Sequence, residues 1–296
     1  MRYEEVAGGP YGDAAGGPYV EVAGVPYEEV ADVPYVETAG VPYEKATGPL
    51  PTASHAPNGT AAGPLPFVAV PGMLCDADLW RDVRFPEGHE VRHVPLRRTD
   101  IGALADDVLA AVAGRFVLVG LSLGAIVSFE VLRRAPGRVA GLCVMATNAH
   151  APRPEQYAAW RAMDDRIAAG RFTDVVEETL PGMFPGRNPT PWAARRYRAM
   201  AHRVGATAAR AQLAAQATRT DAVEVLRTVG CPTVVLAGAR DALCPPAFHH
   251  AIADPVPGAR LTVLPDAGHL LPWQRPEEVT AALHALATPT TTTTTP

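Results

Sequence analysis

Short apolar runs recur between residues 66 and 287, and they limit the fold more than any other feature of the sequence. Runs of this length that are rich in apolar and β-branched side chains are typical of parallel strands buried on both faces. The six runs are FVAV from residue 67, VRHV from 91, RFVLVG from 115, VAGLCVMA from 139, TVVLAG from 233 and RLTVL from 260. We therefore expect one open, mostly parallel sheet.

Helical patterns separate these runs. Between the second and third runs, residues 99–114 place Ile101, Leu104, Val108 and Val112 on one helical face. A threonine and an aspartate precede Ile101, and either side chain can cap the start of this helix. Strands and helices that alternate in this way build an α/β fold, with helices on both faces of the sheet.

The alternation stops between about residues 151 and 231. Three helical segments follow one another there with no apolar strand between them, namely EQYAAWRAMDDRIAAG, FTDVVEETL and PWAARRYRAMAHRV. The sequence thus predicts a single domain over residues 66–287 that carries a helical insertion at about 151–231.

Both ends of the chain have a different composition. Tyrosine recurs every eight residues from Tyr3 to Tyr43, and a proline precedes each of the last five of these tyrosines. A proline every eight residues interrupts any helix, and such units are shorter than the roughly 20 residues of stacking repeats. We expect residues 1–65 to form a disordered tail and linker, and the Thr-rich residues 288–296 to form another. A docking role for the tyrosine repeats, or weak β-structure templated by a partner, stays open.

Charge and composition exclude several function classes. The formal net charge is -5, and the basic residues are scattered rather than clustered, so we expect no nucleic-acid partner. The single lysine, Lys45, lies in the predicted tail, which excludes a Walker-type phosphate loop from the folded part. No G-x-G-x-x-G motif follows a predicted strand, so we expect no nucleotide and no other cofactor. The expected partner is a small-molecule substrate.

The cysteines and the apolar segments bear on the compartment. The four cysteines lack the C-x-x-C spacing of a zinc or redox site and are far apart, at Cys75, Cys143, Cys231 and Cys244. We expect buried thiols in a reducing compartment rather than a disulfide framework. The N-terminus has no apolar signal core, and no stretch of about 18 apolar residues occurs. The sequence predicts a cytoplasmic protein without membrane contact.

His89, Glu90 and His93 form an H-E-x-x-H pattern, which on a helix binds zinc in metalloproteases. Prolines bracket the segment, glycine precedes it, and it contains β-branched valines, all of which disfavour a helix. In a strand the two histidines point to the same side but cannot chelate as they would on one helical turn. We interpret this segment as the second strand and expect no metal site. A zinc metalloprotease is kept as a remote alternative.

Ser122 lies between Gly120 and Gly124 in the pattern G-x-S-x-G, directly after the third predicted strand and before a helical pattern. A serine at such a sharp turn is held in a strained backbone conformation with its hydroxyl exposed. The flanking residues must be very small because strand and helix approach closely. Ser122 is therefore the predicted nucleophile.

A nucleophilic serine needs a base, and the base needs a carboxylate to orient it. Asp241 follows the strand TVVLAG, and His269 follows the strand RLTVL. Both residues then lie at the carboxyl edge of the sheet, where open α/β sheets bind ligands. We predict that Ser122, His269 and Asp241 form a catalytic triad. Asp266 is closer to His269 in sequence and is the weaker candidate for the acid.

Acyl transfer also needs hydrogen-bond donors for the negative oxygen that develops in the transition state. The backbone N–H of Leu123 lies at the start of the helix after the nucleophile, where the helix dipole adds positive potential. A second N–H is expected from the loop after the first strand, at Met73. The sequence predicts these two groups as the oxyanion hole.

These residues resemble the α/β-hydrolase superfamily over nearly all of residues 66–287. The segments PGMLCDADLW, GLSLG, GARDALCPP and DAGHLLP are most similar to those of cofactor-free serine esterases and enol-lactonases with a helical cap. The resemblance implies an α/β-hydrolase fold, the triad and oxyanion donors given above, and a cap formed by the insertion. Pro71-Gly72 stands where the family usually has His-Gly, and the two strands that commonly precede the first one are not evident.

The superfamily supports many reactions on one triad, so the fold leaves the substrate open. Ester, lactone, thioester and carbon–carbon hydrolysis all remain, together with perhydrolysis. Trp160, Met183 and Phe184 in the insertion are candidate substrate contacts, although such residues can equally pack the insertion onto the domain. A non-hydrolytic protein of the same fold, such as a cyclase, a lyase or a binding protein, is the main alternative to a serine hydrolase.

Overall fold

A computed structural model describes residues 63–287 of the chain, without the side chain of Arg187. Each of the six apolar runs forms a strand, and these strands are β1 (Phe67–Val70), β2 (Val91–His93), β3 (Phe116–Leu121), β4 (Val139–Met145), β5 (Thr233–Gly238) and β6 (Arg260–Leu264). They form one sheet in the order β2-β1-β3-β4-β5-β6, and every pair is parallel. The predicted open parallel sheet is confirmed. Within the described residues no strand precedes β1.

The strand order changes direction at the centre of the sheet. From β1 the chain passes to β2 on one side, and β3 then lies on the other side of β1. In open α/β sheets the loops at the carboxyl ends of two such strands diverge and leave a crevice between them. The loop after β1 and the turn that holds Ser122 after β3 both lie at this crevice.

Helices cover both faces of the sheet, as predicted. Those in the described part of the chain are α1 (Ile101–Ala110), α2 (Leu123–Arg134), α3 (Pro154–Ala168), α4 (Phe172–Thr179), α5 (Pro191–Ala217), α6 (Val223–Leu226), α7 (Pro246–Ala253), α8 (Leu271–Gln274) and α9 (Pro276–Ala287). Alternate side chains of β3 pack on opposite faces: Val117 and Val119 join the same apolar cluster as α9, whereas Phe116 and Leu118 join α1 and α2.

Helix α1 is shorter than the sequence predicts. Its cap is Asp100, whose Oδ1 accepts a hydrogen bond of 3.0 Å from the Ala103 N–H. The helix ends at Ala110 rather than near residue 114, so Val112 lies beyond it. The guanidinium of Arg138 donates to the carbonyl of Val112 at 2.7 Å. This long-range contact satisfies a carbonyl after the helix end, and the local sequence pattern gives no sign of it.

Between residues 151 and 231, helices α3 to α6 follow one another without a strand. Arg196 of α5 connects this helical segment to the sheet domain. Its side chain is only 8% exposed, and its Nε donates to Asp78 Oδ2 at 3.1 Å. Its guanidinium also lies 4.3 Å from the centre of the Trp273 ring, in a cation–π contact.

The predictions for residues 1–62 and 288–296 lie outside the described residues. Within residues 63–287, no helix combines the length and the apolar character that a membrane span requires.

Helix α5 is interrupted at Gly205, where φ is 81° and ψ is 163°. Only glycine commonly adopts this region, and other residues are strained there by about 1–3 kcal/mol. We expect Gly205→Ala to lower the free energy of unfolding by about that amount, as measured by urea denaturation. The matched control is Gly137→Ala, because a methyl group at either position meets open space and only Gly205 has a positive φ. An equal effect of the two substitutions would contradict this account of the interruption.

Candidate active site

Ser122 occupies a sharp turn between β3 and α2. Its φ of 54° and ψ of -115° place a non-glycine residue in a sparsely populated region of backbone conformation. The neighbouring strand holds this turn, because the Ser122 N–H donates to the Met145 carbonyl at 2.9 Å. The Thr147 hydroxyl donates to the Ser122 carbonyl at 3.0 Å. Strain of this kind persists only where such contacts maintain it.

The two glycines of the motif allow close backbone contacts. A Cβ atom on Gly124 would lie 2.2 Å from the carbonyl oxygen of Val70, at the end of β1. A Cβ atom on Gly120 would lie 2.7 Å from the backbone of Ala125 in α2. Both distances are impossible for real atoms, so the turn requires glycine at each position.

His269 and Asp241 form a buried hydrogen-bonded pair. His269 Nδ1 lies 2.8 Å from Asp241 Oδ2, and the two side chains are 5% and 0% exposed. The carboxylate accepts, so Nδ1 carries the proton and donates. The other oxygen, Oδ1, accepts from the N–H groups of Leu243 and Cys244 at 2.9 Å each. These bonds orient the carboxylate, which in turn orients the imidazole ring.

Ser122 and His269 line the same cavity, whose volume is about 350 Å³. Asp241 lies behind His269. The loop after β1 contributes Met73, and the helical segment contributes Trp160 and Met183. Phe184, which we also expected at the substrate, is instead buried in the adjoining apolar core and does not line the cavity. Its backbone packs against Gly268, where a Cβ atom would lie 2.9 Å from the Phe184 carbonyl carbon.

The expected oxyanion donors lie on either side of the crevice. Leu123 is the first residue of α2, and the first four N–H groups of a helix have no acceptor within it. Met73 is half-buried in the loop after β1.

A residue of the helical segment braces the loop that holds Met73. The buried Gln212 side chain accepts from the Leu74 N–H at 3.0 Å and donates to the Leu96 carbonyl at 3.1 Å. This contact supports a loop in which Pro71-Gly72 replaces His-Gly. Gln212 carries no motif, so sequence reasoning missed it.

A second buried histidine, His249, supports the nucleophile turn indirectly. Its Nε2 accepts from the Thr147 N–H at 3.1 Å, and its Nδ1 lies 3.2 Å from the Pro245 carbonyl. Both bonds together require the neutral ring with its proton on Nδ1. Burial lowers the pKa of His249 from 6.5 to about 4, and the nearby charge of Asp241 opposes this shift only in part.

The H-E-x-x-H segment has no helical geometry. His93 ends strand β2, and His89 lies before the strand rather than in it, contrary to our placement. The His89 Nδ1 atom bonds to the Leu65 carbonyl at 2.7 Å, and its ring packs edge-on against Phe67. These contacts give His89 a structural role.

Only one group of three possible metal ligands occurs within residues 63–287, formed by Asp241, Cys244 and His269, whose ligand atoms lie within 4.8 Å of one another. Burial, reinforced by the charge of Asp241, raises the pKa of the Cys244 thiol well above its usual range. A protonated thiol is a poor metal ligand, and the other two side chains are already bonded to each other. The donor set therefore fits an acid–base pair better than a resident metal ion.

Known proteins resemble this chain in sequence and in fold. The alpha/beta hydrolase family matches residues 67–282. The chain belongs to this family. A pimeloyl-[acyl-carrier protein] methyl ester esterase of Neisseria meningitidis is 27% identical over 194 residues, which are 64% of this chain and 75% of the relative. A putative non-heme bromoperoxidase, BpoC, of Mycobacterium tuberculosis is 28% identical over 172 residues, which are 56% of this chain and 65% of the relative.

Solved structures are similar over most of the domain. A thermophilic esterase from Thermogutta terrifontis has a TM-score of 0.66 and 30% identity, covering 76% of this chain and 91% of its own. The enol-lactonase from Burkholderia xenovorans LB400 has a TM-score of 0.64 at 20% identity and covers 77% of this chain and 93% of its own. The second likeness shows the shared fold alone. The resemblance to this family that the sequence motifs indicated is confirmed.

The depressed pKa of His249 predicts a loss of stability in acid. As pH falls below 6.5 the unfolded chain binds a proton at this residue, whereas the folded protein does so only near pH 4. This difference lowers the free energy of unfolding by about 2 kcal/mol between pH 7 and pH 5. Urea denaturation at the two pH values should show that His249→Gln removes about this much of the loss, and the exposed His250→Gln control should not. An unchanged pH dependence in His249→Gln would refute the assignment.

Proposed function

We propose that this protein is a serine hydrolase that acts on a small carboxylic ester, lactone or related acyl compound. One observation carries the proposal: Ser122, in a strained turn, shares a cavity with His269, whose Nδ1 is bonded to the buried Asp241. The likeness to the Neisseria esterase and to the Thermogutta esterase supports the same class of reaction.

The proposed cycle begins with attack of Ser122 Oγ on the carbonyl carbon of the substrate. Because Nδ1 of His269 is held by Asp241, Nε2 is the ring nitrogen available to accept the Ser122 proton. The N–H groups of Met73 and Leu123 stabilise the negative oxygen of the tetrahedral intermediate, each by on the order of 3 kcal/mol. The imidazolium then protonates the leaving alcohol, and an acyl-enzyme forms. Water, deprotonated by His269, releases the acid and restores Ser122.

Helices α3 to α6 act as a cap over the site in this proposal. The segment supplies Trp160, Met163 and Met183 to the cavity wall, and Gln212 to the loop that holds Met73. A largely apolar wall suits a compact acyl group and keeps bulk water from the reacting carbonyl. The site would therefore be incomplete without the helical segment.

Labelling with a fluorophosphonate tests the nucleophile. We expect intact-mass spectrometry at neutral pH to show one phosphonate adduct on the wild-type protein and none on Ser122→Ala. Ser128→Ala is the matched control, because Ser128 is buried in α2 with its hydroxyl bonded to the Gly124 carbonyl. It should be labelled like the wild type. No adduct on the wild type, or an adduct that survives in Ser122→Ala, would contradict the proposal.

Activity assays separate the alternatives that labelling leaves open. A metalloprotease would lose activity to chelators and keep it in Ser122→Ala. A non-hydrolytic protein of this fold can be labelled at the serine yet release no acid from esters, lactones or thioesters. A panel of these three substrate classes, followed by acid release, thus distinguishes a hydrolase from a cyclase, a lyase or a binding protein.

A further inference from the structure

The wall of the cavity contains a buried arginine that the proposed cycle does not use. Arg219 follows helix α5, is 7% exposed, and lines the cavity together with Ser122 and His269. Its Nη2 donates to Gln156 Oε1 at 3.2 Å, and its guanidinium lies 5.4 Å from the centre of the Trp160 ring. The Nε atom is buried without a hydrogen-bond partner among the described residues.

The charge of this guanidinium is not balanced by the protein around it. Within residues 63–287, no aspartate or glutamate lines the cavity, and none forms an ion pair with Arg219. Burial lowers the pKa of Arg219 from its usual value, because loss of hydration disfavours the charged form. An unpaired buried charge is costly, because neither water nor an opposite charge compensates for its lost hydration.

Arg196 provides the internal comparison. Its side chain is 8% exposed, and it also packs on tryptophan. In contrast to Arg219, it forms ion pairs with both Asp78 and Asp82. Arg196 is thus paired with carboxylates of the protein, whereas Arg219 has no carboxylate partner within residues 63–287 and lines the cavity.

We propose that Arg219 binds a carboxylate of the substrate, so that the hydrolase acts on acyl compounds that carry a free carboxylate besides the group attacked by Ser122. The inference rests on the proposed function, since it takes the cavity shared with Ser122 as the substrate site. A guanidinium forms strong, charge-assisted hydrogen bonds with carboxylates. Arg153 also lines the cavity and adds positive charge. The apolar walls contact the carbon chain between the two ends of the substrate.

Direct binding tests the proposal without requiring turnover. The probes are the monomethyl esters of succinate, glutarate and adipate, each compared with its neutral dimethyl ester. Binding is measured by titration calorimetry to Ser122→Ala, which cannot consume the esters through an acyl-enzyme. We expect at least one monomethyl ester to bind, and to bind about 10- to 100-fold more weakly once Arg219→Gln is added, as expected for a hydrogen bond to a charged group. The dimethyl esters should bind both proteins alike.

Two further variants control for structure and charge. Arg219→Lys keeps the charge and should retain part of the preference for the monomethyl ester. Arg227→Gln removes an exposed arginine outside the cavity and should change nothing. If Arg219→Gln does not fold, it is replaced by Arg219→Met, which fills the same space without charge. We expect the melting temperature of the Arg219→Met variant to equal or exceed that of Ser122→Ala alone. The monomethyl ester should raise the melting temperature of Ser122→Ala but not that of the Arg219 variant.

The proposal is overturned if no monomethyl ester binds to Ser122→Ala, or if removing the guanidinium leaves the affinity unchanged. A different result is expected if Arg219 binds a carboxylate but the protein is not a serine hydrolase. The fluorophosphonate then does not label Ser122 of the wild type, yet the monomethyl ester still binds in an Arg219-dependent manner.

Discussion

The nucleophile turn depends on a close approach of the end of β1, the end of β3 and the start of α2. The end of β1 and the start of α2 come so near that a single methyl group on Gly124 would overlap the Val70 carbonyl. This approach places the strained Ser122 at the crevice where the strand order reverses. The Met145 carbonyl at the end of β4 and the Thr147 hydroxyl just after this strand hold the turn, and His249 in turn holds Thr147. The hydroxyl position is thus set by the centre of the sheet rather than by a flexible loop.

The four central strands, β1, β3, β4 and β5, could be predicted from the sequence because buried parallel strands are largely apolar along their length. The edge strands β2 and β6 are partly exposed and mixed in composition, yet the local pattern located them as well. The segment of Ser122 was equally recognisable, since a strand, a turn with two small residues and a helix are all visible in consecutive residues. The pairing of His269 with Asp241 was predicted from their positions after two strands, and in the structure the two side chains are bonded.

Features that depend on distant contacts were not predictable in this way. Helix α1 ends where Arg138, from a different part of the chain, donates to the carbonyls of Leu109 in the last turn and of Val112 beyond it. Phe184 is a large apolar residue of the type that contacts substrates. Its side chain lies in the apolar core, and its backbone packs against Gly268. A lone glutamine, Gln212, and a lone arginine, Arg219, carry no spacing pattern. Their roles emerge only from their burial and from the groups that they contact or lack.

An acid–base pair lies behind a strained serine, and an arginine without a carboxylate partner among the described residues lines the same cavity. The proposed mechanism requires Ser122 Oγ and the N–H groups of Met73 and Leu123 to converge on one reacting group. A crystal structure of the phosphonate adduct measures this directly. We expect phosphorus on Ser122 Oγ and a phosphonate oxygen roughly 2.7–3.1 Å from both backbone nitrogens. An adduct on another residue, or an oxygen turned away from both N–H groups, would contradict this mechanism.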